Sequence, residues 1–226
     1  LECGGASTVT FDGYTYDLVA IGDQCWFAEN LRTEHYTNGD AIPANLTDSE
    51  WQSTSSGAVS VYGEEAGCDD YSPDGDACDP SWSLNEYGRL YNWYAVDDER
   101  GLCPTGWHVP TDGEFMTLEM ELGMSESEAN STGWRGPDQG TQMKTTYGWY
   151  GGGNGTNSSG FSALAGGWRR SNGNFNVGGH SGYFWSSSSN GVDAWFRALY
   201  GEYTGVYRDH YKQRYGFSVR CVRDAE

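Results

Sequence analysis

Residues 200–221 read YGEYTGVYRDHYKQRYGFSVRC, with tyrosine at Tyr200, Tyr203, Tyr207, Tyr211 and Tyr215. Steps of four suit a helix face of period 3.6 and equally a strand face of period 2, so this stretch decides whether the chain ends in helices or in a sheet. A continuous strand would put Tyr203, Tyr207, Tyr211 and Tyr215 on one face and Arg208, His210, Lys212 and Arg214 on the other. The centre, RDHYKQR, is poor for a strand interior and good for a turn, which predicts two short strands joined by a turn. Tyr207 and Tyr215 then lie near the sheet, and Tyr203 and Tyr211 lie on loops. Beside Arg208, Lys212 and Arg214, those two tyrosines form a candidate surface for a partner. Trp195 joins this candidate set, although Trp185, Trp195, Tyr207 and Phe217 also suit a core.

Working backwards, FSALAGGW, GYFWSSS, AWFRALY and GFSVRCV read as short strands joined by turns, and GWYGGGNGTNSSG as a long polar loop. VPTDGEFMTLEMELGM (109–124) carries a capping box, Thr111 with Glu114, then Phe115, Leu118 and Leu122 on one stripe and Gly123 as terminator, the clearest helix signal in the chain. Ser125 with Glu128 starts a further helical turn. NEYGRLYNWYAVDDER (85–100) predicts another helix by its aromatic and aliphatic spacing. Residues 52–86, rich in Ser, Gly, Asp and Pro, read as a surface insertion. STVTFDGYTYDLVAIGDQCWF alternates around a DG turn and predicts a hairpin or two short strands. The order is strands, helices, then a terminal sheet, in one domain over 1–226 with no internal repeat.

The hydrophobic content of 37% is concentrated in 10 Trp, 16 Tyr and 8 Phe, while 33 Gly imply many turns, which suits a loop-rich β or α+β domain. A net charge of −19 argues against nucleic acid or an anionic membrane as partner, and no apolar run is long enough to insert in a bilayer. The start shows no signal-peptide pattern and reads as a mature or excised chain. Residues 1–168 carry 5 basic and 27 acidic side chains, residues 169–226 carry 8 and 5. That asymmetry would favour head-to-tail contact between copies; its ordinary reading is a solvated acidic surface beside a near-neutral final sheet.

Six cysteines with no CxxC pair allow fifteen disulfide connectivities, and the even count fits an oxidising, exported setting. Sequons at Asn45, Asn130, Asn154 and Asn157 point the same way as candidate glycosylation sites. The loop CDDYSPDGDACD gathers Asp70, Asp74, Asp76 and Asp79 around a turn glycine, which makes calcium the candidate cofactor; an EF-hand is not matched, because Ser72 takes the third position and Ser81 the place of the bidentate Glu. The four histidines are scattered, with no HExxH, and neither GxSxG nor a phosphate loop is present. No nucleophile, base or metal constellation marks an enzyme.

In order along nearly the whole chain, YDLVAIGDQCWFAENLRT, YGRLYNWYAV, GLCPTGWHVPTDGEF, GFSALAGGWR, GYFWSSS and YGFSVRCVRD resemble the Fibrobacter succinogenes major paralogous domain. That resemblance implies a C-type lectin-like α+β fold akin to the formylglycine-generating enzymes: two helices beside a small twisted antiparallel sheet, long irregular loops and disulfide staples. It also implies an extracellular or cell-surface bacterial protein. The stretch from Gly182 to Tyr215 lacks the cysteine pair of those enzymes, and the Glu-Pro-Asn and Trp-Asn-Asp motifs of calcium lectins are absent. Lectin-like folds tie the helix region to the last strand, which implies Cys103 to Cys221, leaving Cys68 to Cys78 and Cys3 to Cys25. The expected function is a non-catalytic surface or adhesive protein acting through protein contacts, as a homo-oligomer, filament or complex with another surface protein; the alternative is a glycan-binding module.

Overall fold

The computed structural model describes residues 3–65 and 67–225. Two hairpins open it. β1 (Thr8–Phe11) and β2 (Tyr14–Ile21) are joined by Asp12 and Gly13, both at positive φ (47° and 76°), as a two-residue primed turn demands. β3 (Gln24–Phe27) returns antiparallel to β2 and is buried at every position. The Ser- and Gly-rich segment that follows contributes to the core as well as to the surface. α1 (Asp48–Ser53), capped by Thr47 and Glu50, buries Trp51, and residues 57–62, with β4 (Val59–Ser60), are buried throughout. β5 (Cys68–Asp70) then pairs in parallel with a strand far along the chain.

The spacing over 85–100 predicts one helix, and the structure breaks it in two. α2 (Pro80–Tyr87) starts behind Asp79, whose carboxylate accepts the Ser81 N–H, and stops at Gly88, where φ is 73°. β6 (Leu90–Tyr91) and the single turn α3 (Trp93–Val96) replace its second half. Both capping boxes, by contrast, form with their reciprocal hydrogen bonds: Thr111 with Glu114 starts α4 (Asp112–Glu121), and Ser125 with Glu128 starts α5 (Glu126–Ala129). After β7 (Gly133–Arg135) and α6 (Gln139–Met143) the chain is almost entirely extended: β8 (Trp168–Arg169), β9 (Phe175–Gly178), β10 (Ser181–Asn190), β11 (Asp193–Tyr200), β12 (Val206–Lys212) and β13 (Val222–Asp224).

These strands form four sheets, ordered β1-β2-β3-β13, β10-β11-β12-β7, β4-β6 and β5-β9-β8. The expected two-helix, lectin-like α+β fold is therefore overturned: the protein is mostly β, with six short α-helices among the described residues, of which the longest has 10 residues. Gly88 and Gly123, both at positive φ, stop α2 and α4, and the segments that follow take hydrogen bonds from neighbouring strands. The turn expected at RDHYKQR falls later: β12 runs through the first five of these residues, antiparallel to β11 on one side and to β7 on the other, and the chain turns at Gln213 and Arg214. Charges alternate with tyrosines along β12, and Arg208, Asp209 and His210 each find a partner.

All three implied disulfides are formed, Cys3–Cys25, Cys68–Cys78 and Cys103–Cys221, with Cα separations of 5.5, 5.8 and 5.9 Å. The main core lies where the N-terminal sheet meets the β10–β11 hairpin. Trp185 packs on Phe217 at 4.1 Å between ring centres and donates its indole N–H to the Tyr91 carbonyl.

Candidate binding face on the C-terminal sheet

The two faces of the β10-β11-β12-β7 sheet follow from the strand period of 2. On β12, Arg208 and His210 point one way, and Tyr207, Asp209 and Tyr211 the other. The first face is covered by α4 and holds a buried ion network. Arg197 on β11 donates from Nη1 to Asp112 (2.7 Å) and from Nε to Glu119 (2.6 Å). Arg208 donates from Nη2 to Asp112 (2.7 Å), and Arg135 on β7 makes two bonds to Glu119 (2.7 and 2.8 Å). Spare guanidinium protons go to the carbonyls of Ala129, Asn130 and Ser131. Burial raises the Asp112 carboxyl, but the hydrogen bonds and charges of Arg208 and Arg197 outweigh it and hold its pKa below the ordinary value.

This network removes two residues from the expected partner surface. Arg208 is only 7% exposed, and its guanidinium sits 4.1 Å over the ring of Trp195, which is half-buried on the same covered side. A charged residue on a strand reads as solvent-facing unless its carboxylate partners are known, and these lie on a helix about ninety residues away.

The opposite face carries rings in near-continuous contact. Trp134 on β7 is in register with Tyr207 and stacks on Tyr203 with centroids 4.1 Å apart and planes 11° apart. Tyr200 meets Trp134 edge-on at 5.0 Å and shares a 2.8 Å hydroxyl contact with Tyr183. Trp168 stacks on Tyr183 (4.9 Å) and on Tyr215 (5.0 Å), and Tyr211 meets Tyr215 edge-on at 4.5 Å. At the other end His180 links Tyr200 (5.9 Å) to Tyr71 (5.8 Å) and Tyr150 (6.1 Å). Of the eight exposed large apolar side chains among the described residues, five belong to this row: Tyr71, Trp134, Tyr150, Tyr203 and Tyr211.

Buried Lys144 fixes the turn that presents Tyr203. Its ammonium donates to the carbonyls of Tyr200 (2.9 Å), Gly201 (3.2 Å) and Tyr203 (3.0 Å), and burial pulls its pKa down to about 8. Tyr203 thus keeps its expected place in an exposed loop, whereas Tyr211 is exposed from within β12. Lys212 is exposed at the end of β12 and Arg214 is half-buried, with its Nε 3.3 Å from the Thr54 carbonyl.

The charge asymmetry also reads differently in three dimensions. Six of the 13 cations are buried, namely Arg135, Lys144, Arg169, Arg197, Arg208 and Arg220, against two acids, Asp112 and Glu119, among the described residues. Half of the basic residues in 169–226 are therefore internal structure. Arg220, fully buried, donates to Asn30 and to the carbonyls of Phe27, Phe161 and Ser162, and burial, with the charge of Arg32 beside it, pulls its pKa down to about 9. Only Arg170 and Lys212 among the 13 are exposed rather than buried or half-buried, and both lie at the Tyr211 end of the aromatic row.

In the acidic loop, Asp70 accepts the Ser72 and Ala77 N–H groups, Asp76 that of Cys78 and Asp79 that of Ser81. These carboxylates shape local turns. Together with Asp74 they do not converge, and among the described residues no group of three or more His, Cys, Asp or Glu side chains is arranged to hold a metal ion. Asn45, Asn130 and Asn154 are exposed; Asn157 is half-buried, with its amide nitrogen donated to Ser162.

Trp134, Tyr71, Tyr150, Tyr200, Trp168 and Arg170 complete the face without having been singled out in the sequence. Strand alternation about Tyr207 and Tyr211 was the one available signal, and it was lost by reading a turn there. No helix among the described residues is long and apolar enough to cross a membrane. A family model, the Fibrobacter succinogenes major domain, matches residues 19–223. No match was found among the curated proteins or among the solved structures.

Proposed function

From the premise that the chain belongs to the Fibrobacter succinogenes major domain family, we propose that it is a non-catalytic, exported adhesive or structural module that works through contacts with other proteins. The observation that carries this reading is the row of exposed rings on an otherwise polar, acidic molecule. Exposed Trp and Tyr supply most of the energy of typical protein interfaces, and a stiff sheet presents them at little entropic cost. Three disulfides fit an oxidising compartment outside the cytoplasm. Purified protein should associate in sedimentation velocity, and Tyr203→Ser with Tyr211→Ser should weaken that association while the circular dichroism of the fold is kept. Monomers at high concentration in both low and high salt would sink the proposal.

A second reading, glycan binding, is favoured by the Trp134–Tyr203 stack, whose planes lie within 11° of parallel and suit a sugar face. A glycan array with and without calcium separates the two, and a blank array leaves protein contacts as the function.

A further inference from the structure

The β10–β11 hairpin carries opposite charge at its two ends. At its tip, Val192 is 84% exposed, and exposed Lys212 stands between two clefts. One, of about 260 Å³, is lined by Asp193, His210, Tyr211, Lys212 and Tyr215. The other, of about 220 Å³, lies between Tyr94, Ser171, Val192, Lys212 and Arg214, next to exposed Arg170. The one carboxylate lining these clefts, Asp193, is held by His210 at 2.9 Å. This corner gathers both exposed cations of a protein whose net charge is −19.

The acidic loop lies at the other end. Tyr71 donates its N–H to the Gly178 carbonyl, three residues before β10 begins; exposed Asp69, Asp70, Asp74 and Asp76 flank it in the loop, and Glu202 pairs with His180, whose ring lies 5.8 Å from that of Tyr71. The Cys68–Cys78 bond and the turn hydrogen bonds of Asp70 and Asp76 hold this loop in shape before any partner arrives, which lowers the cost of docking it. Asp74 is exposed, and its backbone N–H points to the Ser72 hydroxyl at 3.4 Å. The 10 residues of β10, at roughly 3.3 Å each, separate the two ends by about 30 Å, too far for a loop to reach its own corner.

We infer that the loop Asp69–Asp76 of one copy docks in the Lys212 corner of a second copy. This deepens the protein-contact reading and rests on it. The contact is heterologous: the surface given by one copy differs from the surface it offers, so each addition leaves both kinds of end free, and the product is a filament or a ring. Exposed Tyr71 travels with the loop and meets Tyr211 and Tyr215 at the cleft, which adds ring contact to the charge pairing.

Reciprocal charge exchange tests it. The Arg170→Glu/Lys212→Glu protein and the Asp69→Lys/Asp74→Lys protein, each checked for wild-type circular dichroism, are run in sedimentation velocity at low salt, singly and mixed in equal amounts. Each alone should associate at least about tenfold more weakly than wild type, and the mixture should recover, because each altered surface then meets its complement. Raising the salt should weaken wild-type association, since screening shortens the reach of these charges. If the corner variant associates like wild type, or if the mixture fails to recover, the docking is overturned while protein contact itself still stands. Wild-type protein that stays monomeric throughout overturns both.

Discussion

One sheet, β10-β11-β12-β7, has its charges inside and its rings outside. Under α4, Arg135, Arg197 and Arg208 are sealed against Asp112 and Glu119; on the open face Trp134, Tyr203 and Tyr211 meet solvent. The covered face holds together only because every guanidinium has a fixed carboxylate, so it tolerates little change. The open face is divided: Tyr183, Trp185 and Phe196 on it belong to the main core, while Trp134, Tyr203 and Tyr211 at its edge are free to be a surface. Position in the structure, more than residue type, decides what each side chain does.

The contrast breaks most visibly at Arg197, which joins Asp112 to Glu119. Arg197→Met leaves two buried carboxylates short of a partner and should cost about 3 to 5 kcal/mol in urea unfolding; a loss below about 1 kcal/mol would mean the network is less tightly sealed than its geometry. Asp112→Asn is milder, about 1.5 to 3 kcal/mol at neutral pH, and adds a signature in acid. Because the folded-state pKa of Asp112 lies below its ordinary value of 3.8, its contribution is fully present above that range and is lost as pH falls through the folded value. The variant should therefore show a flatter acid limb of the stability curve than wild type. The smallest effect belongs to the outer face, where Tyr203→Ser with Tyr211→Ser should shift the unfolding free energy by no more than about 1 kcal/mol. A larger loss would place these rings in the core.

How much of this was legible in the sequence depends on the range of the forces. Local signals read well: Thr111 with Glu114, Ser125 with Glu128 and the Asp12-Gly13 turn each act within four residues, and each forms as its spacing predicts. Signals that depend on distant partners read poorly. Arg208 looks like surface in VYRDHYK because the carboxylate that pairs with it, Asp112 on α4, is 96 residues away. The helix expected over 85–100 fails at one residue, Gly88, whose positive φ outweighs an otherwise helical pattern. The aromatic row was half visible. Tyr203 and Tyr211 could be picked out, but joining them to Trp134 and Tyr71 required the sheet order.

The burial of cations and the Cys103–Cys221 bond together bear on survival outside a cell. Proteases that cleave after Arg or Lys find six of the 13 such residues buried and five more half-buried, and the two exposed ones, Arg170 and Lys212, both lie between Cys103 and Cys221. A cut at either one leaves the two pieces covalently joined through that disulfide, so a nicked molecule does not come apart.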